Sequence, residues 1–264
     1  MNNITKTFKR FCFILAGVAV SQFTYGQSYC TSNATIAADS EIHNVKLEGT
    51  STTIDNNSST GTGCETYTDF SSTVSAADLS AGSEYTVEVE YGTCSQWDYC
   101  RDISVYIDYN QDFSFSANEE VGSSFSCGYT TSNITFTIPC NVSTGKTRMR
   151  IVLDEFNGAS ACGTYFYGET EDYTVDISKP TALSSNFFAP DTAFVGTIVN
   201  FINGSSGNIT NDWDIDNDGA YDYNTANAKH IYTATGTYSV KLRNYNCAGT
   251  DSTVKQIVIV NPTA

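Results

Sequence analysis

The chain has 264 residues, which is enough for two domains of ordinary size, and only 16% of them are charged. With 13 basic and 29 acidic residues the net charge is −16, and nucleic acid and anionic lipid are disfavoured as partners because both would be repelled. Abundant Ser, Thr, Asn, Gly and Tyr favour short strands and polar turns over helices.

The first 26 residues have the pattern of a secretory signal peptide. Three basic residues precede an apolar stretch from Phe11 to Val20, which is too short to span a bilayer. Cleavage is predicted after Gly26, where a small residue is typical. Removal of this segment leaves 10 basic and 29 acidic residues, a net charge of −19. The mature protein is therefore expected to be exported and soluble, without insertion in a membrane.

Eight cysteines remain in the mature chain, and an even count in an exported protein predicts disulfides. Only Cys247 lies after residue 165, so independent folding of the two halves would leave it and one other cysteine unpaired. Zinc is disfavoured because the closest pair, Cys94 and Cys100, lacks the short spacing of a zinc site. The eight residues are Cys30, Cys64, Cys94, Cys100, Cys127, Cys140, Cys162 and Cys247.

Strand-like segments recur in chain order, with polar turns between them. The segment Glu84–Tyr91 alternates strictly, which places Tyr85, Val87, Val89 and Tyr91 on one face. One helical turn is predicted at Ala76–Leu79, but no long segment outside the signal peptide has a helical apolar period. The fold class is therefore all-β, built as sandwiches or barrels of short strands. Further predicted strands are Ile103–Tyr109, Ile134–Ile138, Arg148–Leu153 and Tyr173–Ile177.

Residues 179–186 carry a proline and small polar residues, which is typical of a short linker. A second series of strands follows, in a segment about the size of one immunoglobulin-like sandwich. The predicted domains are a signal peptide (1–26), a first module (27–178), a linker (179–186) and a second module (187–261). The second series comprises Ile198–Ile202, Ile231–Tyr232, Thr237–Leu242 and Val254–Val260.

The sequence WDIDNDGAYDY in the second module predicts a calcium site. Its expected ligands are the carboxylates of Asp214, Asp216, Asp218 and Asp222, with the carbonyl oxygen of Ala220 as a further ligand. Four close carboxylates repel one another unless a cation is bound. The alternative is a solvated turn, since Asp, Asn and Gly are also common in ordinary turns.

A second calcium site is predicted in the sequence IDYNQDFSFSANEE of the first module. Asp108, Asn110 and Asp112 alternate and Glu119 lies seven residues later, which resembles the oxygen ligands of a helix-loop-helix site. A strand precedes this loop and Phe113 stands where that motif requires Gly, so a true EF-hand is excluded. Hard oxygen ligands favour Ca²⁺ over transition metals, and the alternative is a polar hairpin turn.

A third acidic segment, GETEDY, places Glu169 and Glu171 on one side of an extended chain and Asp172 on the other. Such a cluster could serve acid-base chemistry, hold a cation or form structural hydrogen bonds. Paired carboxylates alone are weak evidence for glycoside hydrolysis, and no other catalytic motif is present, so no catalytic residue is assigned.

Several aromatic residues could stack on sugar rings, although most aromatics are expected to pack in the core. The predicted ligand-binding residues are Trp97, Tyr99, Tyr165, Tyr167, Glu169, Glu171 and Asp172.

From about residue 28 to 178 the chain resembles the GEVED domain of secreted bacterial proteins. Thr170 stands where the family name has Val, and Phe113 stands where Gly is usual after the D-x-N-x-D run. The second departure weakens the predicted calcium site in that loop. The matching features are Tyr29-Cys30, the run Ile107–Asp112, Ile138-Pro139, the run Gly145–Arg150 and the signature Gly168–Tyr173.

From about residue 184 to 261 the chain resembles a PKD domain, an immunoglobulin-like sandwich. This resemblance implies that His230 and Tyr232 are structural members of the fold rather than catalysts. The matching features are Trp213–Gly219, His230–Tyr232, Gly236–Tyr238 and Val240–Asn244.

Both resemblances imply non-catalytic modules of secreted or cell-surface Bacteroidota proteins exported by the type IX route. Such proteins usually end in a sorting domain, which is not recognised here, so a fragment of a longer protein or a periplasmic protein is expected. The expected function is a calcium-stabilised accessory or adhesion module that binds extracellular polysaccharide or protein. The alternatives are a structural spacer and, as a third reading, a carboxylate-based hydrolase.

Overall fold

The computed structural model describes residues 28–58, 64–95, 97, 99–155, 158–207 and 210–262. The predicted signal peptide lies outside the described residues. Among them, no helix is long and apolar enough to cross a membrane. The described chain forms 18 strands and a short 3-10 turn at Ala117–Glu119. The prediction of an all-β fold with two sandwich modules is therefore confirmed.

The first module packs two sheets face to face. One sheet has the strand order β3-β2-β6-β9, and the other has the order β1-β11-β10-β7-β8, with β4 and β5 also paired to β11. The strands are β1 (Ser32–Ile36), β2 (Ser40–Glu48), β3 (Thr53–Asn57), β4 (Tyr67–Asp69), β5 (Ala77–Ser80), β6 (Glu84–Thr93), β7 (Cys100–Ile107), β8 (Glu120–Cys127), β9 (Thr130–Thr137), β10 (Gly145–Asp154) and β11 (Gly163–Ser178).

Strand β11 organises the larger sheet. It spans 16 residues and pairs antiparallel with β10 along one edge. On its other edge the short strands β1, β4 and β5 pair with it in parallel, one after another. The helical turn predicted at Ala76–Leu79 is wrong, because the backbone of this segment instead hydrogen-bonds to the edge of β11 as strand β5.

The core of the first module lies between its two sheets. Val87, Val89 and Tyr91 of β6 are fully buried and Tyr85 packs against them, as the strict alternation of this segment predicted. Across the core they meet the apolar side chains of β7, β10 and β11. The alternation therefore identified the buried face of β6 correctly.

The second module is a smaller sandwich with its own core. Its sheets have the strand orders β12-β14-β16 and β13-β18-β17-β15. Trp213 is fully buried and its ring lies 5.3 Å from that of Phe187. The strands are β12 (Phe187–Phe188), β13 (Thr192–Phe194), β14 (Ile198–Asn203), β15 (Thr210–Asp214), β16 (Ala228–Ile231), β17 (Gly236–Asn246) and β18 (Gly249–Val260).

All eight cysteines among the described residues form disulfides, and one disulfide joins the two modules. Cys140, just after β9, is bonded to Cys247 in the turn between β17 and β18. The prediction of disulfides is therefore confirmed. The condition under which Cys247 would be unpaired, independent folding of the two halves, does not hold, because this turn packs against the core of the first module. The other bridges are Cys30–Cys162, Cys64–Cys94 and Cys100–Cys127.

Candidate functional site

A cleft of about 710 Å³ lies beside the start of the described chain, on the side of the larger sheet that faces away from the core. We call it the Tyr29 cleft. Strand β10 contributes Arg148 and Arg150 to the cleft. Met149, which lies between them on the strand, points into the core, so both arginines point away from it. The lining residues are the run Ser28–Asn33 together with Thr66, Tyr67, Asp69, Phe113, Arg148 and Arg150.

Tyr29 is fixed in this cleft by several contacts. Its hydroxyl donates a hydrogen bond of 2.7 Å to Asp108 Oδ2, and burial together with this bond raises the pKa of Tyr29 to about 12. The Arg148 guanidinium lies 4.7 Å from the centre of the Tyr29 ring. Phe113 and Phe115 contact the same ring at centroid distances of 5.4 and 5.2 Å. The cleft wall is therefore an ordered aromatic cluster.

The floor of the cleft is an ion-pair network around Asp172, which is fully buried. Arg150 binds both carboxylate oxygens, with Nε–Oδ1 and Nη2–Oδ2 distances of 2.7 and 2.8 Å. Arg148 adds a third contact at 2.7 Å and also reaches Asp69 at 3.3 Å. Tyr67 donates its hydroxyl at 2.9 Å, and burial and the charge of Asp172 raise the pKa of Tyr67 to about 12.

The opposite face of β11 carries two buried glutamates. Glu169 Oε2 accepts the backbone N–H of Ile42 at 2.9 Å, and Glu171 Oε2 accepts the hydroxyl of Tyr173 at 2.8 Å. The Oε1 atom of Glu171 is buried and has no hydrogen-bond partner. Burial and neighbouring negative charges, including that of Glu41, raise the pKa of both glutamates.

This raised pKa predicts that the first module loses stability at alkaline pH. The folded state keeps protons on Glu169 and Glu171 that an unfolded glutamate releases near pH ~4.3. Stability is therefore complete below that pH and falls as the pH rises through the folded pKa values.

We expect the melting temperature to drop by about 5 °C between pH ~5 and pH ~9. Replacement of Glu169 and Glu171 together by Gln should flatten this dependence, whereas Glu88→Gln, at an exposed position of β6, should leave it intact. Equal pH dependence in all three proteins, measured by calorimetry, contradicts the prediction. Glu41 and Glu65 also act on this pair and remain in every variant.

The residues predicted to bind a ligand differ widely in exposure. Trp97 and Tyr99 are 69% and 37% exposed, so both can be reached from solvent. Tyr165 and Tyr167 are both half-buried, and the Tyr165 hydroxyl lies 2.8 Å from Thr170 Oγ1. Glu169, Glu171 and Asp172 are 2% exposed or less. The prediction that these three carboxylates meet an external ligand is corrected, because burial between and within the sheets keeps them out of its reach.

The loop after β7 uses its predicted calcium ligands as hydrogen-bond acceptors. Asp108 is fully buried and accepts the backbone N–H groups of Gln111, Asp112 and Phe113 besides the Tyr29 hydroxyl. Glu119 accepts the backbone N–H groups of Tyr109, Asn110 and Ser116. The Asn110 side chain donates to Asp112 at 2.9 Å. Both buried carboxylates thus have backbone partners, and calcium binding here stays a prediction.

The loop after β15 brings its first three carboxylates together. Oxygens of Asp214, Asp216 and Asp218 lie within 4.8 Å of one another, with Asp214 buried and the other two exposed. Asp222 instead accepts the Ile215 N–H at 2.8 Å, and Ala220 donates its N–H to Asp218. Ca²⁺ favours such clustered oxygen ligands.

The Tyr29 cleft was missed in the sequence because its walls come from distant segments. Tyr29, Tyr67 and Phe113 have no shared periodicity, and only the fold brings them together. One signal was available: Arg148 and Arg150 alternate on a predicted strand, so both point to the same side, where a buried acidic partner was to be expected.

Among curated proteins, none matches the sequence. Solved structures with immunoglobulin domains are similar at a low level. The N-terminal four Ig domains of Dscam1 isoform 6.9 match with 11% identity and a TM-score of 0.29, over 74% of this chain and 44% of that chain. This chain thus spans less than half of that Dscam1 chain. Murine CEACAM1b matches with 10% identity and a TM-score of 0.28, over 69% of this chain and 96% of that one. Scores this low do not establish a common fold.

The family model of the GEVED domain matches residues 102–176. This segment contains most of β7 and β11 and all of β8, β9 and β10. It includes the Asp108 loop, the two arginines of the Tyr29 cleft and the GETEDY signature. The PKD resemblance of residues 187–261 stays a prediction. The segment 102–176, which forms the floor of the Tyr29 cleft and carries both buried glutamates, is therefore similar to the GEVED domain.

Proposed function

We propose that the chain is a non-catalytic extracellular module that binds a polysaccharide in the Tyr29 cleft. The observation that supports this function is the chemistry of the cleft wall. Tyr67 and Phe113 are 38% and 39% exposed and present apolar ring surfaces. Polar groups of Asn33, Asp69 and Arg148 line the same cleft. Rings for stacking beside a few hydrogen-bonding groups suit a sugar, which has apolar C–H faces and hydroxyl edges.

The charges of the cleft favour a neutral ligand. The guanidiniums of Arg148 and Arg150 are already paired with Asp172, and Arg148 is paired with Asp69 as well. Little positive charge is left to attract an anion, and the mature chain is strongly acidic. The four disulfides suit an oxidising compartment outside the cytoplasm, in keeping with the predicted signal peptide. A neutral polysaccharide outside the cell meets both conditions.

The test is binding of residues 27–264 to an array of neutral and acidic polysaccharides. We expect a neutral hit whose affinity falls about tenfold or more in Phe113→Ala and in Tyr67→Ala, since each removes a ring from the cleft. Phe166→Ala removes a ring that is 64% exposed but does not line the cleft, and should leave affinity unchanged. Equal affinity in all four proteins, or binding of acidic polymers alone, contradicts the proposal.

The proposed module is also stabilised by Ca²⁺ in the loop after β15. A chelator is expected to lower the melting temperature of the second module, because a cation bound only by the folded state adds to stability. Asp216→Ala should abolish the difference between calcium and chelator. Asp191→Ala changes an exposed carboxylate elsewhere in the module and should preserve it. Identical melts of the unchanged protein in calcium and chelator contradict this site.

A structural spacer is the second candidate function, and the Cys140–Cys247 disulfide favours it. This bond and the linker together join the modules at two points, which restricts their relative movement. A spacer requires such stiffness but no ligand. An array without any hit, together with small-angle scattering of a single rigid shape, would support the spacer over the polysaccharide-binding module.

A further inference from the structure

We propose that the disulfide Cys30–Cys162 is a site of thiol–disulfide exchange, at which an incoming thiolate attacks the sulfur of Cys162 and Cys30 leaves as a thiolate beside Arg150. The co-reactant is a dithiol, of the kind that the paired cysteines of a thiol–disulfide oxidoreductase supply. Cys30 directly follows Tyr29 and lines the Tyr29 cleft, so the exchange acts on the wall of that cleft.

Arg150 prepares Cys30 as the leaving group. Its Nη1 group donates to Cys30 Sγ at 3.5 Å, and also to the carbonyl oxygens of Cys30 and Ala161 at 2.9 and 2.7 Å. Asp172 binds Nε and Nη2 of the same guanidinium, which is 1% exposed, so Nη1 is held in place towards Cys30. A charge-assisted hydrogen bond from a guanidinium stabilises a thiolate, and a stabilised thiolate leaves faster in exchange.

The two cysteines of this bridge differ in access. Cys162 is exposed and directly precedes β11, whereas Cys30 is half-buried. An attacking thiolate therefore reaches the sulfur of Cys162 more easily, and attack there expels Cys30, whose sulfur Arg150 contacts. Fast exchange requires an accessible sulfur for the attack and a stabilised leaving sulfur, and this bridge combines the two.

Exposure alone favours a different bridge. Cys100 and Cys127 are both exposed and lie opposite each other on β7 and β8. Arg101, which follows Cys100, is fully buried and therefore lies on the other face of β7, where its Nη1 group donates to the carbonyl oxygens of Tyr99 and Gly128. The order in which the two bridges open thus distinguishes leaving-group stabilisation from simple exposure.

The exchange transfers two electrons from the dithiol to the bridge. A thiolate of the dithiol forms a bond to Cys162 Sγ while the bond between the two cysteine sulfurs breaks, and the electron pair of that bond leaves on Cys30 Sγ. The second thiol of the co-reactant loses its proton to solvent and attacks the mixed disulfide. This step releases Cys162 as a thiolate and leaves the co-reactant as a disulfide. Tyr29 is then held only by its hydrogen bond and ring contacts.

The first test treats residues 27–264, with the disulfides intact, with limiting dithiothreitol in the absence of denaturant. New thiols are capped with iodoacetamide and located by peptide mass spectrometry. We expect thiols at Cys30 and Cys162 to form at least about tenfold faster than those at Cys100 and Cys127. When glutathione replaces dithiothreitol, it should be found on Cys162 and the iodoacetamide cap on Cys30. Earlier opening of the Cys100–Cys127 bridge, or glutathione on Cys30, overturns the proposal.

The second test removes the guanidinium. Arg150→Met is combined with Asp172→Asn so that no buried charge is left unpaired, and folding is checked by circular dichroism. Exchange at the bridge beside Arg150 should slow by about tenfold, and exchange at Cys100–Cys127 should stay unchanged. Arg243→Met with Asp212→Asn removes an ion pair of the second module and should change neither rate. Unchanged or faster exchange in the first variant overturns the proposal. If that variant does not fold, the order of opening in the unchanged protein decides.

Control of the Tyr29 cleft by this bridge rests on the proposed polysaccharide site. Cys30→Ser with Cys162→Ser keeps the bridge open and should weaken polysaccharide binding by about tenfold, because Tyr29 loses its covalent attachment. Cys100→Ser with Cys127→Ser opens the comparison bridge and should leave the affinity unchanged. Equal affinity in both variants overturns this control of the cleft. The exchange rates are measured without polysaccharide, so they decide the exchange site independently of the proposed function.

Discussion

Asp172→Asn is expected to lower the free energy of unfolding of the first module by about 3–5 kcal/mol. The substitution leaves the guanidinium of Arg150, which is 1% exposed, without its bidentate partner, and breaking a buried ion pair on one side has a cost of this size. Arg148 loses its 2.7 Å contact as well. The new amide N–H groups would also face the donors that now point at the carboxylate. The measurement is urea-induced unfolding, read as a lower midpoint with an unchanged slope.

Asp176→Asn is the matched control, since it makes the same chemical change four residues later on β11. Asp176 is only partly buried and lies opposite Lys146 on β10, so its loss should change stability by less than about 1 kcal/mol. Adding Arg150→Met to Asp172→Asn should recover part of the lost stability, because the unpaired charge is gone. Equal losses in Asp172→Asn and Asp176→Asn would show that the network contributes little.

Removal of the bridge between the modules, by Cys140→Ser with Cys247→Ser, is expected to have an effect of similar size. The two residues are 107 positions apart, and the chain-entropy model gives about 4.7 kcal/mol for a loop of this order. Unfolding should also separate into two transitions, because each module has its own core and only the linker would still connect them. Calorimetry under non-reducing conditions resolves these transitions.

The comparison is with Cys64→Ser and Cys94→Ser, which open a bridge with a separation of 30 inside the first module. Loss of this bridge should lower the free energy of unfolding by about 3–4 kcal/mol. Both modules should still unfold in one transition, because the bridge between them remains. If the Cys140 and Cys247 variant still unfolds in one transition with the original midpoint, the bridge does not couple the modules. The spacer candidate would then lose the observation that favours it.

How far the fold could be read from the sequence depended on how each strand is buried. Strand β6 has one face in the core, so strict alternation revealed both the strand and its buried side chains. Strand β11 was predicted only from Tyr173 onward, although it begins at Gly163. Its run from Gly168 to Tyr173 is buried on both faces and yet polar, and such a run has neither alternation nor apolar character.

Sites that depend on contacts between distant segments were beyond sequence reasoning. Cys247 is bonded to Cys140 because the second module packs against the first, and the spacing of the cysteines along the sequence does not reveal that packing. Tyr29 is held in its cleft by the disulfide that joins its neighbour Cys30 to Cys162 and by the hydrogen bond from its hydroxyl to Asp108. The loop after β15 was easier, because neighbouring residues supply all three of its clustered carboxylates. Clusters formed by neighbouring residues could therefore be predicted from the sequence, whereas surfaces assembled from distant segments could not.

Two of the disulfides overlap along the chain, and this bears on how the protein withstands proteases. The bridge Cys30–Cys162 closes one loop and the bridge Cys140–Cys247 closes another that begins inside the first. A single cut anywhere between residues 30 and 247 falls within at least one of these loops, so both products stay covalently attached. A nicked molecule therefore keeps its parts together and can retain its fold, whereas release of a fragment requires a second cut or reduction of a bridge.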